Sequence, residues 1–568
     1  MSVTGLRWAG RRGLLVELSD LESVLALHTR LRTKPLPGQL EAVAAAATVL
    51  VTFSSHATTA AARQTLPQLE LELDAGQLAA GREITIEREI TIEREITIEV
   101  VYDGEDLAEV GRLTGLGADG VVAAHTGQLW TAAFGGFAPG FTYLVGENSS
   151  VDVPRRSSPR TAVPAGSVAL AGGFSAVYPR QSPGGWQLIG HTDAVMWDLE
   201  RESPALVRPG DTVRYVAVRE SLRLAASSTA DEVDSSPAPD EVRAPESALL
   251  VESTGLQSLL EDLGRPGLGD LGVSAAGAAD QQSARQANRL VGNEPGAAVV
   301  ENLLGGLTVR ARGDQVLAVA GASVPLEIRS PTGQLVHRPA MCGPFALLDG
   351  ETLSLGAPAL GLRSYVAARG GLDVPAVLGS RSTDSMSGIG PAALAPGTVL
   401  PVGAVEGVRP VGLSEASTLG LGQTVTELRV VLGPREDWFS EDALEALRQD
   451  WVVTEQSNRI GVRLAPAPPA AAADDGAPAR ALQRSREGEL PSEGAVAGSL
   501  QVPPSGHPVL FLADHPVTGG YPVIAVVVPE DLPTAAQLPP GHRVQFTPVD
   551  PATLEPLAPE PAFQGIQP

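Results

Sequence analysis

The 568-residue chain carries 62 Gly and 47 Pro. At roughly a fifth of the sequence they stay below the roughly 25–30 % that marks low-complexity disorder, and 43 % hydrophobic residues supply material for cores. A net charge of −25 excludes a nucleic-acid partner, which needs clustered Lys and Arg, and suits no anionic membrane surface.

Lys34 is the only lysine. That excludes a G-x-x-x-x-G-K-[ST] phosphate loop and a biotinyl-lysine segment. Cys342 is the only cysteine, so no disulfide forms within the chain. Residues 1–20 lack the apolar run of a signal peptide, and the apolar run at 42–53 is too short to cross a bilayer. The expectation is a soluble cytoplasmic protein of three to five domains, its cores built from aliphatic residues and its backbone from short strands and tight turns.

In chain order, Leu14–Leu18 reads as a strand. Ser19 or Asp20 can cap a helix carrying Leu21, Val24, Leu25, Leu27 and Leu31. Val49–Phe53 reads as a second strand, and a second helix over 57–71 is limited by Pro67. The sequence Arg-Glu-Ile-Thr-Ile-Glu then occurs three times, at 82–87, 88–93 and 94–99. Six is even, so the isoleucines keep one strand face. All three copies in line would stretch roughly 60 Å, too long for one domain. The reading is one strand duplicated in frame, with surplus copies outside the fold.

Residues 222–247 are polar and Pro-rich and read as a linker. A similar stretch at 465–493 reads as an insertion, and the tail after Asp550 as frayed. Four Gly turns lead into alternating strands: Gly210 before Thr212-Val213, Gly350 before Thr352-Leu353, Gly397 before Thr398-Val399, and Gly541 before Arg543-Val544. These fit closing hairpins of β-barrels. Val163-Pro164-Ala165-Gly166 followed by Gly184-Gly185-Trp186 is echoed by Val502-Pro503-Pro504-Ser505-Gly506 followed by Gly519-Gly520-Tyr521. The echo predicts related barrels in the two halves. A helix over 280–291 ends at Gly292.

Three Gly-rich clusters, at 135–143, 183–192 and 514–522, can cradle an anion on backbone N–H groups or form barrel turns with aromatic anchors. None is a G-x-G-x-x-G element between strand and helix. Arg155, Arg160, Arg265 and Arg381 sit in loop-like settings where a guanidinium fork can take a carboxylate or phosphate. His191 and His515, the latter after Asp514, lie beside Gly-Gly loops and can serve as acid or base. Carboxylates such as Asp262 or Asp514 can bind Mg²⁺ or act as base. The histidines show no metal-ligand spacing. Cys342, beside Met341 and Gly343, reads as a small buried hydrophobe.

Residues 1–220 resemble the B subunit of 5-oxoprolinase, also called the allophanate hydrolase subunit 1 or KipI type. The resemblance lies in Gly136-Phe137-Ala138-Pro139-Gly140-Phe141, Pro154-Arg155 with Pro159-Arg160, Val163-Pro164-Ala165-Gly166-Ser167-Val168 and Pro183-Gly184-Gly185-Trp186. Residues 247–550 resemble the C subunit of the same enzyme, the allophanate hydrolase subunit 2 or KipA type. This second resemblance lies in Asp262-Leu263-Gly264-Arg265, Ala287-Asn288-Arg289-Leu290-Val291-Gly292-Asn293, Gly379-Ser380-Arg381-Ser382-Thr383, Gln501-Val502-Pro503-Pro504 and Thr518-Gly519-Gly520-Tyr521-Pro522. The hexapeptide repeat and Phe174 depart from the family pattern.

The resemblance implies a mostly β, α+β protein: a small α/β domain at 1–80 followed by cyclophilin-like β-barrel domains in two fused halves. One barrel is expected at 81–221, a linker at 222–246, further barrels at 247–410 and 411–550, and a tail at 551–568. The implied activity is ATP-dependent opening of 5-oxo-L-proline to L-glutamate with the separate A subunit of 5-oxoprolinase, using ATP and Mg²⁺. Alternatives within the same family are a carboxyltransferase served by biotin on another chain and a non-catalytic histidine-kinase inhibitor. For the first activity the expected acid–base residues are His191, Asp262 and Asp514. Arg155, Arg160, Gly184, Gly185, Trp186, Arg265, Arg381, Gly519, Gly520 and Tyr521 are the expected substrate or phosphate contacts, and a homo-oligomer is an open expectation.

Overall fold

The computed structural model describes residues 3–69, 94–156, 158, 160–219, 245–405, 407, 409–422, 424–468, 480–488 and 490–558. They fall into two compact units. The first gathers Met1–Leu71, Glu246–Gly269 and Ser274–Pro568; the second gathers Glu72–Pro245 with Asp270–Val273. The fold class is mostly β with closed and nearly closed barrels.

The first unit opens with a four-stranded antiparallel sheet in the order Val3–Trp8, Gly13–Leu18, Thr48–Phe53, Gln39–Ala44. Asp20 caps the helix Leu21–Thr33 by accepting from the Ser23 amide at 2.7 Å. Ser55 forms a capping box with Thr58 at the start of His56–Thr65, and Pro67 falls in a single 3₁₀ turn, Leu66–Gln68. The outer strands Val3–Trp8 and Gln39–Ala44 are not evident from the sequence. The latter is alanine-containing and weak in β propensity, and pairing with the apolar central strand Thr48–Phe53 overrides that preference.

The next barrel packs two sheets face to face. Leu249, Val251, Val309, Leu317, Val319 and Val366 meet in one core between them. The helix Gln281–Leu290 lays Ala284, Ala287 and Leu290 on Ala318, Ala320, Tyr365 and Ala367. It stops at Gly292, which takes φ +80° as a left-handed terminus requires. Cys342 is buried in the same cluster. The last barrel is closed, with seven strands. Its first strand, Val425–Leu432, runs parallel to its last, Arg543–Pro548.

The second unit holds a seven-stranded sheet. Here too the first strand, Glu95–Val100, runs parallel to the last, Thr212–Ala217. The third hexapeptide copy supplies this first strand, with Ile98 and Val100 fully buried. The first two copies, most of the linker at 220–244, the stretch 469–479 and the end of the tail lie outside the described residues. The Gly-rich cluster at 135–143 is a hairpin of Trp130–Gly136 and Ala138–Gly146, with Phe137 at φ +61° in its turn. All four turn glycines picked out by pattern, Gly210, Gly350, Gly397 and Gly541, have φ between +77° and +97°. Each precedes a strand, as expected of residues free to adopt that region.

Candidate functional site

In the first unit, four of the expected residues converge on the loop 379–385. Asp262, directly after the strand Gln257–Glu261, accepts from the Gly264 amide (2.7 Å), the Ser380 and Ser382 hydroxyls (both 2.6 Å) and the Arg381 amide (2.6 Å). Arg265 is 3 % exposed and donates to the Ser382 carbonyl. Its Nη1 is buried without a hydrogen-bond partner. Asp514, fully buried, takes the amide of Ser385 at 2.9 Å and its hydroxyl at 2.5 Å, with two bonds from Arg459 at 3.0 Å.

Both aspartates thus have their acceptor positions occupied, and the geometry they create is that of a held loop. Arg381, on that loop, anchors Nε to the Val374 carbonyl at 2.7 Å and keeps 41 % of its side chain exposed.

Beneath the loop lies a buried ionic junction. Arg459, preceding the strand Gly461–Pro466, reaches Asp514, the Gly277 carbonyl (2.7 Å), Glu301 and Glu261 (3.2 Å). Glu301 also accepts from Tyr365 Oη at 2.9 Å and the Ala279 amide at 3.0 Å, and pairs with Arg363 at 3.4 Å. Gln537 ties Asp280 to the Arg363 carbonyl, both at 2.9 Å. Burial pushes the Glu301 carboxyl up, but Arg459, Arg363 and its hydrogen bonds outweigh it and hold it below the usual range.

Glu261 differs. Burial dominates over the Arg459 charge and raises it well above the usual carboxylate range. The junction therefore pairs two guanidinium groups with two carboxylates and a third carboxyl, Glu261, that burial pushes toward its neutral form.

Gly519 pairs with Glu493 in a two-residue ladder and is followed by Gly520. Tyr521 is 39 % exposed, with the Arg484 guanidinium 5.6 Å from its ring centre.

In the second unit, Asp106 is a hub. It accepts from Arg156, from Arg160 at 2.9 Å and from the Leu188 amide at 2.8 Å. Burial alone would raise this carboxyl; the Arg160 hydrogen bond, the amide and both arginine charges bring it below its ordinary value. Burial pushes the Tyr178 hydroxyl up, and the charges of half-buried Arg155 and of Arg160 offset this only in part. Gly184 sits so close to that hydroxyl that a Cβ would lie 2.2 Å from it. Gly185 accepts from the Arg156 amide at 2.8 Å.

Trp186 is only 5 % exposed and packs edge-on at 5.5 Å against both Phe141 and Tyr143. His191 is open at the surface, its Nδ1 2.8 Å from Asp103. That contact orients the ring.

Among the described residues, no three His, Cys, Asp or Glu side chains gather into a metal cage. No described helix is long and apolar enough to cross a membrane. The sequence reading does not single out Glu301, Arg363, Gln537, Asp103 or Asp106. The available signal for the first two is a lone charge inside an apolar strand: Val300-Glu301-Asn302 and Leu362-Arg363-Ser364.

A family model described as Carboxyltransferase domain, subdomain A and B, matches residues 271–548, and its subdomain C and D counterpart matches 4–207. The C-like half is 33 % identical over 305 residues to the 5-oxoprolinase C subunit of Escherichia coli, spanning 90 % of that protein. The chain belongs to the family of the 5-oxoprolinase B and C subunits. Within this family, the B subunit of the Escherichia coli enzyme is 46 % identical over 126 residues, a match covering 58 % of that protein. Urea amidolyase of Lachancea kluyveri is 29 % identical over 361 residues but only 18 % of its length is matched. The crystal structure of TTHA0988 superposes with TM-score 0.73 at 33 % identity, covering 94 % of this chain and 99 % of that one. This family member thus joins the features of both subunits in one polypeptide.

Proposed function

We propose that the chain is a fused B and C component of a 5-oxoprolinase, acting with a separate A component in ATP-dependent opening of 5-oxo-L-proline to L-glutamate. The supporting observation is that its two halves match the two separately named subunits, B and C. An unstrained lactam resists water, and transfer of a phosphoryl group to its oxygen gives an electrophilic carbon and a good leaving group. ATP supplies that group.

The substrate carboxylate and the phosphoryl oxygens are anions. With one lysine in the chain, recognition falls to arginine forks and backbone amides. Arg381 on the held loop, with Arg265 against it, is the candidate fork of the first unit; Arg155 and Arg160 are the candidates of the second unit, taken by itself. The Gly184-Gly185-Trp186 and Gly519-Gly520-Tyr521 turns shape the neighbouring loops. His191, oriented by Asp103, moves the proton. Asp262 and Asp514 act as positioning residues for the 379–385 loop. Mg²⁺ would be held mainly by the ATP phosphates, with at most one or two protein carboxylates.

The test is co-purification with a cognate A component followed by measurement of glutamate release dependent on both ATP and 5-oxoproline. Absence of turnover from a stable complex overturns the reading. A carboxyltransferase role has its own supporting observation in the family-model description and the urea amidolyase match. Carboxyl transfer from a biotin carrier added in trans would favour it.

A further inference from the structure

The N-terminal sheet belongs to the first unit, with the C-like barrels, although the family model runs through it into the second unit as one match over 4–207. Its attachment is extensive and mixed in chemistry. Ala9, Leu15, Val43 and Leu50 share an apolar cluster with Val517, against which Val496 packs. Gly494 approaches so tightly that a Cβ there would lie 2.6 Å from the Leu50 Cβ.

Beside this cluster, Arg435 of the last barrel is 8 % exposed and divides its guanidinium between Glu493 of its own barrel and Glu17 of the sheet. Arg7 of the sheet pairs with Glu17 at 3.4 Å and with Asp437 at 3.6 Å. At the margins, Arg11 reaches Glu530 and the Pro551 carbonyl, both at 2.9 Å, and the Gly269 amide donates to Glu41 at 2.7 Å.

We infer that residues 1–69 form a self-sufficient docking module for the last barrel of the C-like half. It is held by this apolar patch and the Glu17–Arg435–Glu493 lock, not by the peptide that follows it. The partner it fits is a barrel offering a buried guanidinium already braced by its own carboxylate, with a glycine beside it that admits a leucine. A sheet carboxylate completes such a guanidinium's second face, and leaving that buried charge half-paired is costly.

The test uses the full chain with a specific protease site introduced between residues 72 and 80. After cleavage, the N-terminal fragment is expected to co-elute with the remainder on gel filtration. Glu17→Arg, on the sheet side, leaves the Arg435–Glu493 pair of the barrel intact and is expected to weaken retention roughly 100-fold. Gly494→Val, which inserts a branched side chain against Leu50, is expected to release the fragment. Separation of the wild-type fragment on cleavage overturns the inference, and so does wild-type retention in Glu17→Arg.

Discussion

Trp130 and Trp451 occupy the same place in their two barrels. Each opens a strand that pairs antiparallel with the last strand of its barrel, opposite Val213 and Val544 respectively. Each donates its indole N–H to a carbonyl of the preceding helical segment, His125 at 2.9 Å and Leu447 at 3.1 Å. Both are at most 1 % exposed. Trp→Phe at either site keeps an aromatic ring but orphans a buried carbonyl. A loss of about 1–3 kcal/mol in chemical unfolding is expected for each. Losses within about 0.5 kcal/mol of zero would mean that the bond is not part of the barrel's stability.

His125 gives the second unit an acid-sensitive core. Its imidazole is fully buried between Tyr102 Oη at 2.7 Å and Ser175 Oγ at 2.9 Å. Burial pulls its pKa down to about 3. The fold keeps it neutral, while the unfolded chain takes a proton below about pH 6.5. Its contribution is therefore complete above pH 6.5, falls as the pH drops, and stops falling near pH 3, where both states bind the proton. Urea titrations at pH 7, 6, 5 and 4 should show this slope, and His125→Gln should flatten it. An unchanged slope in the variant would assign the acid loss to other groups.

Glu261 and Glu301 predict opposite outcomes for the same substitution. Glu301→Gln leaves Arg363 and Arg459 short of a buried counter-charge and should cost about 3–5 kcal/mol. Burial pushes Glu261 toward its neutral form, so Glu261→Gln, a neutral side chain of like shape, should cost less than about 1 kcal/mol at neutral pH. Its raised carboxyl favours the fold at low pH and loses that advantage as pH rises through the folded value. The variant should therefore lose less stability on the alkaline side than the wild type does. Equal penalties for both substitutions would refute the opposite shifts of the two carboxyls.

The surplus hexapeptides should be dispensable. A slip of six residues would place Arg94 where Val100 is buried, so Val100 pins the third copy in the strand. Deleting residues 82–93 should leave the melting temperature within about 2 °C of wild type, inside the shift expected of a change under 1 kcal/mol. Val100→Arg should remove the pin and broaden or lower the transition. A large loss on deletion alone would give the first two copies a structural role.

For the proposed reaction, His191→Ala with the A component present should lower kcat by about 10²–10⁴-fold, and Asp103→Ala less, since it only orients the ring. Arg381→Ala should act on turnover without unfolding the chain, because its side chain is partly exposed. Full glutamate formation by both Arg381→Ala and Asp514→Ala would rule out the 379–385 loop as a participant.

Much of the frame is legible locally. Asp20 as a cap, Pro67 as a helix limit, Gly292 as a stop and the four turn glycines depend only on neighbours in sequence. The related barrels show through the Gly-Gly-aromatic echo. Less legible is what depends on distant pairing. The strand Gln39–Ala44 owes its form to a partner with better propensity. Asp103 and Asp106 gain meaning only when the strand Gln187–His191 is laid beside them. The ionic junction assembles Glu261, Glu301, Arg363, Arg459 and Asp514 from five separate stretches; Asp514 shows beside its Gly-Gly loop, but only a charge stranded in an apolar strand hints at Glu301 and Arg363.

Glu17 and Arg435 are 418 positions apart in the chain. At translation rates of about 5–20 residues per second, the sheet emerges roughly 20–80 s before its barrel exists. During that interval Leu15, Val43 and Leu50 have no permanent cover. Biogenesis of this polypeptide is therefore a waiting problem: the sheet must stay soluble and unaggregated until its barrel is made and closes over it.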